Sequence, residues 1–120
     1  MRSTWIDHNG KKIFYQDFSK HFYNSSAVRA ELEEVQKIVT AEPTDSVLVL
    51  SDFRDTNVGS DLLASMNAAS AATKGHVHKT AVLGVTGMKR KLADLLTALT
   101  GQPLKYFDDM ESAKSWLTQD

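Results

Sequence analysis

The chain has 120 residues, 42% hydrophobic and 24% charged, with a net charge of −1 and no cysteine. This is ordinary globular usage at a common single-domain size, which excludes disorder, a disulfide framework and a thiolate zinc site, and fits a reducing compartment. The near-neutral charge argues against a surface built to hold nucleic acid, and no apolar run approaches the roughly 18 residues of a membrane span.

Trp5 and Ile6 lead into His8-Asn9-Gly10, and Ile13-Phe14-Tyr15 follow. Asn-Gly between two β-prone runs predicts a hairpin, because both central residues tolerate positive φ. Strands are expected at about 4–8 and 11–17, then an aromatic-rich connection from Phe18 to Tyr23. Asn24-Ser25-Ser26 offer helix caps. Val28, Leu32, Val35 and Val39 follow at helical spacing, widened by Ile38, with Glu31, Glu33, Glu34 and Lys37 expected on the outer face. Pro43 stops this helix. The apolar run Val47-Leu48-Val49-Leu50 reads as a strand covered on both faces, as in a parallel sheet.

The alternation repeats through a loop at Ser51 to Gly59 and a helix from about Ser60 to Thr73, with Gly75 expected as its C-cap. Thr80 to Val85 reads as another buried strand. Thr86 caps a helix with Met88, Leu92, Leu95 and Leu99 on one stripe, ended by Gly101. Leu104 to Phe107 is a short strand. Asp108 and Asp109 open a last helix carrying Met110, Ala113, Trp116 and Leu117, and Asp108 with Glu111 has capping-box spacing. The expected architecture is α/β: an N-terminal β-hairpin, then βαβα repeats, giving a mostly parallel five-stranded sheet with about four helices and right-handed crossovers. Residues 1–120 read as a single domain.

These stretches carry a resemblance. Val47 to Asp52, Ala81 to Arg90, and Gly101 to Phe107 followed by Glu111-Ser112-Ala113 resemble the STAS domain of the SpoIIAA-like anti-sigma-factor antagonists. The resemblance implies a STAS fold and a regulatory, non-enzymatic role. In that family the switch is a phosphorylated serine in an Asp-Ser-Ser-Gly turn at the N-terminus of the helix after the central strand. Aligned without gaps from Leu50, this chain places Asn57-Val58-Gly59-Ser60 there. Gly59 stands at the phosphoacceptor position and Ser60 falls one residue late, so no phosphoacceptor is expected. The chain resembles a divergent branch without that serine, similar in fold to lipid-carrier domains.

The helix at 60–73 carries no charge between Asp61 and Lys74. Small side chains, among them Ala64, Ala68, Ala69, Ala71 and Ala72, surround Leu62, Leu63 and Met66. Alanine can serve helix propensity alone. The functional reading is a self-association face, a partner face or the lid of an apolar pocket, formed by Leu62, Met66, Ala68, Ala69 and Ala72. Phe18 and Phe22 would add a mobile flap over an apolar cleft, while Trp5 and the other aromatics read as core. Lys89-Arg90-Lys91 stand in the first turns of a helix, where cations oppose the macrodipole, unless an anion is bound by Thr86, Gly87, Lys89 and Arg90; the alternative is a solvated face.

His76 and His78 share a face if their segment is extended, but no third ligand stands near in sequence, so a metal site is not expected. Asp52, Asp55 and Asp61 gather at the end of the central strand, with Arg54 interrupting them and no nucleophile–base pair. Asp55 and Asp61 read as turn and helix-start residues. The expectation is a cytoplasmic, non-enzymatic STAS-like regulatory or binding module with no catalytic residue, metal or cofactor. Its partner would be a protein or a second copy in a homodimer, with no nucleic acid. The alternative is a carrier or sensor of a small apolar or lipid-like ligand, transiently at the membrane surface.

Overall fold

The computed structural model describes residues 2–57, 59–84 and 104–119. Asn9 and Gly10 both have positive φ, 52° and 78°, as a two-residue turn matched to strand twist requires. They join β1 (Thr4–His8) to β2 (Lys11–Asp17), antiparallel, with Trp5 opposite Phe14 and Asp7 opposite Lys12. Next come α1 (Ser25–Thr40), β3 (Val47–Asp52), α2 (Ser60–Thr73), β4 (Val77–Leu83), β5 (Leu104–Phe107) and α3 (Met110–Leu117). The expected α/β fold is present: a five-stranded sheet in the order β1-β2-β3-β4-β5, parallel from β2 onwards. Three helices lie within the described residues. The fourth expected helix, with its Met88, Leu92, Leu95 and Leu99 stripe, lies outside them, as do Val85 and Gly101.

Each parallel step moves one strand further in the same direction, and right-handed crossovers then place successive helices on one face. α1 and α2 accordingly pack together on one side of the sheet. Their core joins Phe14, Val49 and Val82 of the sheet to Val28, Leu32, Val35 and Val39 of α1 and Leu62 and Ala69 of α2. α3 covers the opposite face, where Ala113 and Leu117 meet Ile13, Leu48, Leu50, Ala81 and Leu83. Alternation along each strand divides the apolar residues between the two cores. All six residues of β3 are buried, as the unbroken run Val47 to Leu50 foretold.

Local chemistry departs from the sequence reading at five points. Glu31 is buried at 7% exposure instead of facing outward. The N-terminal segment crosses α1 there, and the Glu31 carboxylate accepts from the Arg2 and Ser3 backbone N–H and from the Ser3 hydroxyl. β3 runs on to Asp52 rather than ending before Ser51. Gly75 does not provide a left-handed C-cap: α2 closes on Lys74 in the right-handed region, and His76 N donates to Thr73 O at 2.9 Å. β4 begins at Val77, three residues earlier than expected, and its described part ends at Leu83. The cap of α3 is Asp109, which accepts from Ser112 N at 2.8 Å, one residue later than the Asp108–Glu111 pairing. Asp109 has the extended backbone a cap needs.

Lys79 ties α3 to the sheet. Its ammonium donates to the Trp116 and Gln119 carbonyls at 3.2 and 2.9 Å and lies 5.2 Å from the Trp116 ring centroid. A cation is thus held at the negative end of the helix.

Gly84 fixes the end of β4 against the loop after β3. Its φ is +83°, and an added Cβ would lie 2.6 Å from the Phe53 carbonyl carbon and closer still to Arg54 N. Both neighbours are backbone and cannot swing away. Gly84→Ala should therefore lower the unfolding free energy by at least about 2 kcal/mol. Gly75→Ala, with open space around it, should change it by no more than about 0.5 kcal/mol. Urea unfolding of the two variants measures the contrast, and equal effects would show that the close approach at Gly84 is unimportant.

Candidate functional site

In open α/β sheets, ligands commonly bind where the strand order reverses, outside the carboxyl ends of the strands. Here β1 to β5 run in sequence order with no reversal, so the sheet opens no such crevice. What stands at the carboxyl end is a lip built from the chains leaving β2 and β3.

The two chains stay side by side after their strands end. Phe18 N donates to Asp52 O at 3.0 Å, Lys20 N to Arg54 O at 2.8 Å and Phe22 N to Asp55 O at 2.9 Å. Asn57 N returns to Phe22 O at 2.6 Å, and Phe22 forms a parallel bridge with Thr56. Lys20, Phe22 and Asp55 all have positive φ, 59°, 51° and 60°. Each costs roughly 1–2 kcal/mol for a residue with a Cβ. Such backbone persists only where surrounding contacts over-determine it. The Thr56 hydroxyl supplies two of those contacts: it donates to Phe18 O and accepts from His21 N at 3.1 Å.

The lip is anchored by Asp52. Its carboxylate is fully buried at the end of β3. Oδ1 accepts from Arg54 N and Nε, both at 3.0 Å, and Oδ2 accepts from Arg54 Nη2 at 2.7 Å and the Tyr15 hydroxyl at 2.6 Å. Burial alone would raise the Asp52 pKa, but the hydrogen bonds from Arg54 and Tyr15 outweigh it and hold the group below the usual carboxylate range. Burial and the adjoining carboxylate push the Tyr15 hydroxyl well above its ordinary value, so it remains a donor. In sequence, Arg54 interrupts a carboxylate cluster. The structure makes it the partner of Asp52, while Asp55 occupies a left-handed turn and Asp61 the first turn of α2. The signal was present in the spacing, since an Asp ending a buried strand needs a cation within reach.

The lip carries Phe22 and Tyr23 at 62% and 85% exposure. Phe18, grouped with Phe22 in the sequence reading, is instead buried and stacked on Phe53 with ring centroids 5.0 Å apart. The α2 residues divide between its two sides. Leu62 and Ala69 are buried and Met66 partly so, whereas Ala64, Ala68, Ala71 and Ala72 are exposed. Phe18, Met66 and Ala69 line a partly open cavity of about 90 Å³ between the sheet and α1–α2, with Gln16 and Ser51 hydrogen-bonded to each other in its wall. Thr86, Gly87, Lys89 and Arg90 lie outside the described residues.

The histidines are held separately. His76 Nδ1 meets Glu42 O at 2.7 Å and His78 Nδ1 meets Asp45 Oδ1 at 3.0 Å. Among the described residues no group of three or more His, Asp and Glu could hold a metal ion. No helix among them is long and apolar enough to cross a membrane.

A family model described as SpoIIAA-like matches residues 17–118. The match takes in the lip, the central strand, α2 and α3. No curated protein matches the chain.

The ionised state of Asp52 gives a pH test. Its folded-state pKa lies below the unfolded value of about 3.9, so its contribution to stability is complete above that pH and is lost as pH falls through the lower folded value. Asp52→Asn should cost about 1.5–3 kcal/mol at pH 7. It should also flatten the fall in stability below pH ~4 relative to the wild type. Urea midpoints between neutral and acid pH measure both effects. Parallel acid limbs in the two proteins would mean that Asp52 is not the ionised anchor.

Proposed function

The chain belongs to the SpoIIAA-like family, and from that premise we propose that it is a non-enzymatic regulatory module that docks a protein partner on its lip and the outer side of α2. Domains of this family are generally regulatory, protein-interaction modules without catalysis. The observation that carries the assignment to this surface is Phe22, a large aromatic side chain left 62% exposed on a left-handed residue pinned by two backbone hydrogen bonds. A rigid exposed aromatic loses little conformational freedom on binding, which is what an interface anchor requires. Tyr23 extends the aromatic surface. Beyond Asp61, the outer side of α2 presents Ala64, Ala68, Ala71 and Ala72, which allow another backbone to come close.

A phosphoswitch has little support at this surface. Gly59 stands at the acceptor position, and the nearby Thr56 hydroxyl is buried with both its hydrogen-bonding roles filled. The same reading takes residues 1–120 as one STAS-like domain, cytoplasmic, with a second copy of the chain as one form the partner could take.

The partly open cavity under α1–α2 is what favours a carrier of an apolar ligand. At about 90 Å³ it is smaller than the ~150 Å³ engineered cavity that admits benzene. A lipid chain does not fit it, and the docking reading is preferred.

The test compares the wild type with Phe22→Ser and Ala68→Arg. Both changes are on exposed residues and should shift stability by no more than about 0.5 kcal/mol. Loss of an interface anchor should weaken retention of a captured partner by about tenfold or more. Affinity capture with quantitative mass spectrometry, beside thermal unfolding of each variant, reads this out. A partner retained equally by all three proteins would place docking elsewhere, and a variant that unfolds would make its residue structural.

A further inference from the structure

At the opposite end of the sheet, a groove of about 430 Å³ is lined by Trp5, Lys12, Glu42, Pro43, Ser46 and Val47. That volume falls in the range of roughly 300–1,000 Å³ usual for small-molecule sites. The hairpin register explains its chemistry. Trp5 pairs with Phe14 and Asp7 with Lys12, so strand alternation puts Trp5, Asp7, Lys12 and Phe14 on the α1–α2 side of the sheet. Phe14 belongs to the core, and the Trp5 ring leans on it with centroids 4.9 Å apart. Trp5 is nonetheless 37% exposed. It is an oriented aromatic wall rather than the core residue its composition suggested.

The facing wall is braced. Ser46 Oγ donates to Pro43 O at 2.6 Å, and the N–H groups of Ser46 and Val47 donate to His76 O at 3.0 and 2.9 Å. Among the described residues, no ion pair or hydrogen bond engages the Lys12 ammonium or the Glu42 carboxylate. Glu42 follows Ala41, the C-cap of α1, so the partial negative charge of the helix end lies on the Glu42 side. A simple cation would meet Lys12, and a simple anion would meet Glu42. A ligand carrying both charges meets neither repulsion.

We propose that this groove binds a small zwitterion, its ammonium end on the Trp5 ring and the Glu42 carboxylate and its anionic end on Lys12. Aromatic faces attract quaternary ammonium groups when these are partly desolvated, which makes a methylated ammonium the fitting cationic end.

Titration with glycine betaine and with free phosphocholine, followed by the indole N–H resonances, tests the proposal. The expected result is a saturable shift of the Trp5 signal while that of Trp116, on α3, stays put. Tetramethylammonium, which lacks the anionic end, should bind at least about tenfold more weakly. Lys12→Gln, at an exposed position, should weaken zwitterion binding by about tenfold with the fold unchanged. Phosphatidylcholine vesicles distinguish a lipid headgroup from a free solute: retention of the protein assigns the site to the headgroup, and binding of betaine without retention assigns it to the solute. No Trp5 shift with either zwitterion overturns the proposal. So does tetramethylammonium binding as tightly as betaine, or Lys12→Gln binding as tightly as the wild type.

Discussion

The Asp52 carboxylate lies at the end of the most enclosed strand of the sheet, out of reach of water. An ionised group in such a place is tolerated only when its oxygens are paired and hydrogen-bonded. Arg54 and Tyr15 meet that demand, and in doing so they set the path of the chain. Arg54 can reach back with both its backbone N–H and its guanidinium only if the segment after Asp52 turns sharply. That turn brings Arg54 O to Lys20 N and Asp55 O to Phe22 N, which draws the β2–α1 connection alongside. The left-handed backbone at Lys20, Phe22 and Asp55 is the conformational cost of this arrangement. Gly84 makes it sterically possible from the other side, because only a residue without a Cβ fits against Phe53 and Arg54.

Sheet topology explains why this end presents a surface instead of a pocket. Among the described residues the strands follow one another in order, so the sheet lacks the reversal at which open sheets form a switch-point crevice. Between the sheet and α1–α2 lies a partly open cavity of about 90 Å³. The large exposed apolar side chains among the described residues stand on the lip at one end and at Trp5 at the other. The SpoIIAA-like family to which the chain belongs consists of protein-interaction modules.

Periodicity made the architecture legible. The hairpin turn, the α1 stripe, the α2 bounds and the enclosed strand β3 depend on residues close in sequence, and composition at fixed spacing reports them. Glu31 shows where this stops. Its charge suggested the outer face, but its spacing from Val28 and Val35 puts it at the edge of the buried stripe, where Arg2 and Ser3 arrive from far along the chain with donors for its carboxylate. Asp52 with Arg54 was nearly readable, since the two stand two residues apart, but the third member, Tyr15, comes from β2. Trp5 was expected in the core on composition, yet edge position and the end of α1 leave one side of its ring open. The α2 residues Ala68 and Ala72 could be assigned to a small-residue face, but only the packing separates them from Ala69 and Leu62 on the inner side.

If Asp52 organises the lip, loosening its clamp should free the lip and little else. Native-state hydrogen exchange on the wild type and Arg54→Met measures this residue by residue. The Lys20, Phe22 and Asn57 amides, each hydrogen-bonded across the lip, should lose about tenfold or more of their protection, while amides within α1 and the β3–β4 ladder keep theirs. Unchanged protection at Lys20 and Phe22 in the variant would contradict the central role given to Asp52.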